Sequence, residues 1–143
     1  MVVNLMANVG GITDIEALQA GMLHDTVEDT DTSPEEIETL FGYAVRSLVM
    51  EVTDDKKLEK QERKRIQIEK APRLSARAKV IKLADKIANL TDILVSPPAH
   101  WSPERRQQYV DWSNKVIAGC RGHNERLEEI YDARVMEAKA RLM

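Results

Sequence analysis

The clearest helix of the 143-residue sequence lies at residues 75–94, which read SARAKVIKLADKIANLTDIL. Ser75 is a typical N-cap residue, because its hydroxyl can accept a hydrogen bond from an amide in the first helical turn. Apolar residues recur every three or four positions, and this spacing predicts one helix face turned toward a protein core. That face consists of Val80, Leu83, Ala84, Ile87 and Leu90. The stretch therefore predicts an amphipathic helix with a long buried side.

A second face of the same helix is polar and carries Lys82, Asp85 and Asn89. A carboxylate on so apolar a helix requires a partner, because an unpaired buried charge is costly. An ion pair with Lys82 or Lys86 meets that requirement, as does a solvated helix edge. A metal ion bound by Asp85 is the third interpretation, and the helix alone does not decide among them.

The rest of the chain shows helical periodicity and no defensible strand. One Phe, three Tyr and two Trp leave few aromatics for a sheet core. Seven further helices are predicted, at residues 2–9, 14–23, 34–40, 44–52, 59–70 and 103–118 and in a last segment ending near residue 141. The helix at 14–23 is expected to bury Ile15, Leu18, Met22 and Leu23. We predict an all-α bundle of about eight helices, forming one domain over residues 1–143.

The composition narrows the function classes. No apolar run approaches the roughly 20 residues that a bilayer span needs, and the single Cys120 agrees with a reducing compartment, so we expect a cytoplasmic protein without membrane contact. Residues 56–82 hold 11 of the 21 Lys and Arg against three Glu. This band is either a solvated helical face or an electropositive wall for a phosphate-rich ligand. Nucleic acid is a poor fit, because the net charge is −3 and the band lacks interleaved aromatics.

A second informative stretch, GMLHDTVEDT at residues 21–30, places one imidazole and three carboxylates at a helix end. His24 and Asp25 are adjacent, so on a regular helix they would point about 100° apart and could converge on one ion only where the helix ends. Imidazole with carboxylates suits Mn, Fe or Zn. The alternative is a surface helix terminus with a solvated acid cluster that includes Glu28 and Asp29.

Three segments together resemble the HD-domain hydrolases of the stringent response, of the small stand-alone type. They read HDTVEDTDT, EVTDDKKLEKQERKR and AKVIKLADKIANLTDI. The resemblance implies an all-α fold that binds one Mn²⁺. It further implies hydrolysis of the 3′-pyrophosphate of guanosine tetraphosphate or pentaphosphate, with GDP or GTP and pyrophosphate as products. Dephosphorylation of another nucleotide such as NADPH, or of a nucleotide 5′-monophosphate, is an alternative within the same resemblance.

By position, the resemblance implies roles for particular residues. His24, Asp25 and Asp85 correspond to metal ligands, and Glu28 and Asp29 to the catalytic acidic pair. A Glu28 carboxylate could orient the attacking water or take its proton, and Asp29 could assist proton transfer.

Four further residues resemble substrate-binding groups of the same hydrolases. Asn89 corresponds to a residue that hydrogen-bonds the ribose, and Arg105 and Tyr109 to groups around the nucleotide. Lys60 is expected to receive the second pyrophosphate. Three of them have a simpler interpretation as well: Tyr109 as a core aromatic, and Arg105 and Lys60 as surface charges.

The resemblance also implies another histidine ligand, in a segment that would precede Met1. We therefore expect a chain that is N-terminally incomplete relative to the family, with weakened metal affinity. We also expect the apolar side of residues 2–9 to be exposed, which favours a homodimer. His100, in a Pro-Pro loop, and His123, at a Gly-bounded helix start, are poor substitutes. The competing interpretation is an inactive nucleotide-binding scaffold.

Overall fold

The computed structural model describes residues 1–142, which form helices and connecting loops with no strand. A 3-10 turn lies at Ala71–Arg73, and a π-helical turn lies at Leu5–Val9. The α-helices are α1 Val2–Asn4, α2 Ile15–Leu23, α3 Thr26–Asp29, α4 Pro34–Phe41, α5 Tyr43–Glu51, α6 Lys60–Lys70, α7 Ala76–Val95, α8 Pro103–Ala118 and α9 Glu125–Leu142. The prediction of an all-α bundle is confirmed, and only the four-residue α3 has no counterpart in it.

The helix starts follow from capping residues that are visible in the sequence. Four N-cap side chains each accept a hydrogen bond of 3.2 Å from the amide three residues later, and these caps are Asp14, Ser33, Ser75 and Ser102. Each cap satisfies an amide that the helix itself leaves unpaired, typically worth about 1 kcal/mol. The predicted starts of α2, α4, α7 and α8 are therefore confirmed.

Helix α7 is the centre of the bundle and packs against α1, α2, α5, α8 and α9. Its predicted apolar face is buried throughout: Val80, Leu83, Ala84, Ile87 and Leu90. Burial of a side chain the size of Leu or Ile contributes roughly 1.5–3 kcal/mol, so this face is a major source of stability. Because neighbours hold α7 on several sides, the polar residues on its remaining face are also fixed in position.

The predicted apolar stripe of α2 is wrong in part, because Ile15 and Met22 are 69% and 70% exposed. The buried face of α2 consists instead of small residues: Ala17, Ala20 and Gly21. A Cβ atom at Gly21 would lie 2.6 Å from Met6 Sδ. The buried Met6 side chain therefore occupies the space where a side chain at position 21 would lie, and the larger apolar residues Ile15 and Met22 lie on the exposed side of α2.

The N-terminal helical segment contributes to the core. Val2 is 7% exposed and Met6 is fully buried, so the expectation that this helix exposes its apolar side is wrong for these residues. The predicted end of this helix at residue 9 is confirmed, and Gly11 just after it has a φ of +66°, which favours glycine. Within residues 1–142, no helix combines the length and the apolar character that crossing a membrane would require.

Candidate active site

His24, Asp25 and Asp85 meet where α2 ends. His24 is the C-cap of α2, and Asp25 has φ −101° and ψ 0°, which turns the chain into α3. His24 Nε2 lies 3.0 Å from Asp25 Oδ2 and 3.2 Å from Asp85 Oδ1. One ligand atom from each of the three residues can be chosen so that all lie within 4.8 Å of one another. The break between the two helices therefore allows neighbouring residues to converge with a carboxylate from α7.

The orientation of the His24 ring is fixed by its other nitrogen. Nδ1 lies 2.8 Å from the carbonyl oxygen of Gly21, and because a carbonyl can only accept, Nδ1 carries a proton. Nε2 is thereby turned toward the two carboxylates. A backbone hydrogen bond of this kind is the usual support of a metal-binding imidazole. The arrangement leaves Nε2 free to donate its lone pair to an ion.

Without an ion, the same geometry favours a protonated imidazole. Burial alone would lower the pKa of His24, but hydrogen bonds to Asp25 and Asp85 and the charges of these carboxylates raise it to about 10. A site that attracts a proton this strongly has the negative potential that attracts a divalent cation. Metal and proton therefore compete for Nε2.

Asp85 is largely buried and shared between two partners. Burial raises its pKa, but the hydrogen bond from His24 and the charges of Lys86 and Lys82 outweigh that effect and lower the pKa below its ordinary value. Lys86 Nζ lies 4.0 Å from Asp85 Oδ2, on the side away from the His24 contact. The ion pair and the cluster of candidate ligands are thus both present in the structure.

Glu28 lines the same small cavity as His24, Asp25 and Asp85, with a volume of about 60 Å³. Its Oε1 accepts a hydrogen bond from the backbone amide of Asp54. Burial raises the pKa of Glu28, and the charge of Asp54 adds to that effect, although the amide hydrogen bond opposes it. A raised carboxylate pKa makes Glu28 a better proton acceptor, because its basicity moves toward neutral pH.

Asp29 is the predicted site residue that the structure does not bring into this cavity. Its side chain is 61% exposed, and Oδ1 lies 3.2 Å from Lys56 Nζ. Glu28 and Asp29 are adjacent on one turn of helix, so they point in different directions. Only Glu28 turns inward.

Two residues beside Glu28 were not among the predicted site residues. Asp54 lies in the loop after α5, and its Oδ2 accepts a 2.5 Å hydrogen bond from Gln67 Nε2 on α6. A sequence signal for Asp54 exists, because this residue lies within the resembling segment EVTDDKKLEKQERKR, but the local pattern predicts only a helix end there. Gln67 carries no comparable signal, since a single amide on a charged helix is unremarkable.

A larger cavity of about 650 Å³ adjoins the small one, between α6, α7 and α8. All four predicted substrate-binding residues line it: Lys60, Asn89, Arg105 and Tyr109. The hydroxyl of Tyr109 is hydrogen-bonded to Asn89, and burial raises the pKa of Tyr109 above its ordinary value. The volume lies within the roughly 300–1,000 Å³ typical of small-molecule sites.

Aromatic rings form one wall of the large cavity. Trp101, Tyr109 and Trp112 follow one another with ring centroids 5.7 Å apart in each neighbouring pair. The Arg105 guanidinium lies 4.4 Å from the Trp101 centroid, and Lys86 Nζ lies 4.3 Å from that of Trp112. Neither tryptophan was among the predicted site residues, although they are the only two in the sequence. Such a wall can stack against a planar base.

The same cavity is also lined by an excess of positively charged side chains. It is lined by Lys60, Arg63, Lys64, Lys86 and Arg105 against the two acids Asp54 and Glu104. Burial lowers the pKa of Lys64, and the charges of Lys60 and Arg105 lower it further, which reflects the positive potential. The basic band was expected to be either a solvated helical face or an electropositive wall, and α6 shows both. Its inner side lines the cavity, and on its outer side Arg65 pairs with Glu62 and Glu69.

The two remaining histidines lie elsewhere on the surface. His100 and His123 are exposed, and neither belongs to the cluster of candidate ligands formed by His24, Asp25 and Asp85.

Comparison with known proteins gives the family. A family model described as HD domain matches residues 1–117, and the chain belongs to the HD domain family. It is 52% identical over 136 residues to the guanosine-3′,5′-bis(diphosphate) 3′-pyrophosphohydrolase MESH1 of Xenopus tropicalis, covering 95% of this chain and 76% of that protein. The Drosophila melanogaster protein of the same name is 55% identical over 133 residues, covering 88% of this chain and 74% of that protein.

A solved structure supports the same assignment. It is described as a metazoan ortholog of SpoT that hydrolyzes ppGpp and plays a role in starvation responses. The TM-score is 0.91 at 51% sequence identity, and the match covers 99% of this chain and 79% of that one. The fold implied by the sequence resemblance is therefore confirmed over nearly the whole chain.

Proposed function

We propose that the chain hydrolyses the 3′-pyrophosphate of guanosine tetraphosphate or pentaphosphate, with one Mn²⁺ held by His24, Asp25 and Asp85. The observation that carries this proposal is the position of Glu28, which shares a small cavity with the three candidate ligands and adjoins a cationic, aromatic-lined cavity. The relatives named above are described as hydrolases of this nucleotide class, which supports the same substrate here.

The three candidate ligands fit a divalent ion of intermediate hardness. One imidazole and two carboxylates are the donors that Mn²⁺, Fe²⁺ and Zn²⁺ accept, and the backbone hydrogen bond to His24 Nδ1 leaves Nε2 directed at the carboxylates. When bound, such an ion supplies a Lewis acid that polarises a phosphoryl oxygen and acidifies water. An ion held by these three protein ligands would keep coordination positions for water and substrate.

The protein's own groups account for the proton transfers. Water attacks the phosphorus bonded to the ribose 3′ oxygen, the bond from that phosphorus to the 3′ oxygen breaks, and pyrophosphate leaves with the new oxygen. Glu28 takes a proton from the attacking water, and its carboxyl can return a proton to the 3′ oxygen. The exposed Asp29, next to Glu28, assists by exchanging the proton with solvent.

Substrate binding divides between the two walls of the large cavity. Lys60, with its cationic neighbours on α6, receives the second pyrophosphate, while Arg105 binds the nucleotide from α8. Asn89 hydrogen-bonds the ribose, and the rings of Trp101 and Tyr109 stack against the base. Five cationic residues line the cavity, which suits a ligand with several negative charges although the protein as a whole is acidic.

Cellular location and assembly are part of the same proposal. We place the protein in the cytoplasm, in agreement with a lone cysteine, Cys120, that is buried and unpaired. A homodimer stays a prediction, and sedimentation at several protein concentrations measures it.

Product analysis tests the activity. The protein is incubated with guanosine tetraphosphate and Mn²⁺, and nucleotides and pyrophosphate are separated and quantified. We expect GDP and pyrophosphate in equal amounts, with no activity after removal of the metal by a chelator. NADPH, offered in parallel, measures the alternative activity. Phosphate release from NADPH without pyrophosphate release from the guanosine nucleotide would contradict the proposal.

A further inference from the structure

Gln67 of α6 lies between the two cavities of the site. It lines both the small cavity that contains Glu28 and the large cationic one. Its Nε2 donates a 2.5 Å hydrogen bond to Asp54 Oδ2. Because a carboxylate only accepts hydrogen bonds, the amide nitrogen must be the atom that faces Asp54. The chemistry of the partner therefore fixes which way the amide points.

The other end of the amide is unsatisfied. Gln67 Oε1 is buried and has no hydrogen-bond partner in the part of the chain that the structure describes. Buried acceptors in folded proteins are almost always paired, so this oxygen requires a donor from outside the chain. Phosphate oxygens cannot serve, because at neutral pH they are acceptors. The donor must come from water or from an uncharged part of the ligand.

The reacting nucleotide carries a donor close to its scissile bond. In a ribonucleoside 3′-pyrophosphate, the 2′-hydroxyl sits on the carbon next to the 3′ oxygen, whereas the N–H groups of guanine are farther away. Gln67 borders the small cavity where the reacting phosphate would lie beside Glu28. Among the hydrogen-bond donors of the nucleotide, the 2′-hydroxyl is therefore the one that would lie nearest to Gln67 Oε1.

We infer that Gln67 is a specificity-determining residue that accepts a hydrogen bond from the ribose hydroxyl adjacent to the phosphate being removed. This inference rests on the proposed function. The same side chain holds Asp54 through Nε2, and the amide of Asp54 hydrogen-bonds Glu28. Recognition of the sugar is thereby connected, through two hydrogen bonds, to the position of the proposed base.

The test compares guanosine tetraphosphate with its 2′-deoxy analogue. Wild-type protein should prefer the ribose form by at least about tenfold in kcat/KM, the loss expected when one buried acceptor is left unpaired. In Gln67→Met, which keeps the side-chain length without the amide, turnover of the ribose form should fall and the preference should shrink to within about twofold. A purely structural role for Gln67 would lower both rates and leave the preference unchanged.

A matched control is Gln107→Met on α8. Gln107 Nε2 also donates to an aspartate, Asp111 Oδ1 at 2.8 Å, but on the exterior of the protein. This variant should keep the wild-type preference. Equal rates of wild type on the two nucleotides would overturn the inference even if Gln67→Met failed to fold, while the proposed function would stand. A preference that persists in Gln67→Met and disappears in Asn89→Ser would assign the hydroxyl to Asn89 and also overturn it. Hydrolysis of neither nucleotide by wild type would overturn the proposed function first.

Discussion

Replacement of Asp85 by Asn distinguishes two roles of this residue, a metal ligand and a member of a structural ion pair. Asp85 contacts His24 Nε2 at 3.2 Å on one side and Lys86 Nζ at 4.0 Å on the other. The substitution keeps the shape of the side chain and removes its charge. The variant loses the carboxylate whether Asp85 is a metal ligand or only an ion-pair partner. The two roles differ in whether added metal still raises the free energy of unfolding.

The size of the metal effect follows from mass action. At a free Mn²⁺ concentration 100 times the dissociation constant, binding to the folded state stabilises it by about 2.7 kcal/mol. For a chain of this length, that corresponds to a rise in Tm of roughly 8 °C. We expect Asp85→Asn to lose most of this increment, because one of two anionic ligands is gone. Without metal, the variant should also be destabilised, by up to about 3 kcal/mol, because the buried Lys86 loses its partner.

The assay is denaturant unfolding with and without Mn²⁺, combined with measurement of bound metal. Asp92→Asn is the matched control, since Asp92 lies two turns further along α7 and is exposed. It should keep the full Mn²⁺ increment. An equal increment in wild type and Asp85→Asn, with only the metal-free stability reduced, would refute the assignment of Asp85 as a ligand.

Three further outcomes follow from the site and its supporting helices. In the metal-free protein, the pKa of His24 is raised from 6.5 to about 10, so its stabilising contribution is complete below about pH 6.5 and is lost as the pH rises toward 10. Unfolding midpoints measured from pH 6 to 10 should therefore decline, and the decline should be less steep in His24→Asn. Asp29→Asn should reduce turnover by less than about tenfold, since its carboxylate is exposed, whereas an acid–base residue typically contributes about 10²–10⁴-fold; steady-state rates decide. Gly21→Ala should destabilise by about 1–3 kcal/mol, because the new Cβ would lie 2.6 Å from Met6 Sδ; an unchanged unfolding midpoint would argue against close packing of α2.

Local signals account for what the sequence predicted well. The caps at Asp14, Ser33, Ser75 and Ser102 and the buried face of α7 depend on residues a few positions apart, so spacing alone reveals them. The convergence of His24 with Asp25 was also predictable, because it needs only a helix end. These features lie within single segments of the chain.

Contacts between segments account for what the sequence did not predict. The exposure of Ile15 and Met22 depends on how closely α2 approaches the N-terminal helix, which periodicity does not encode. The separation of Glu28 from Asp29 depends on which side of α3 faces the cavity. Gln67 reaches the site only because α6 packs beside the loop that carries Asp54. Each of these outcomes is set by tertiary packing.

The most direct test of the central claim is pyrophosphate release from guanosine tetraphosphate by wild type and Glu28→Gln at equal, measured occupancy by Mn²⁺. Glu129→Gln, an exposed glutamate on α9, is the control and should match wild type. We predict that Glu28→Gln binds metal as wild type does and that its turnover falls by about 10²–10⁴-fold, the usual contribution of a general base. Turnover within about twofold of wild type at the same occupancy would contradict the account.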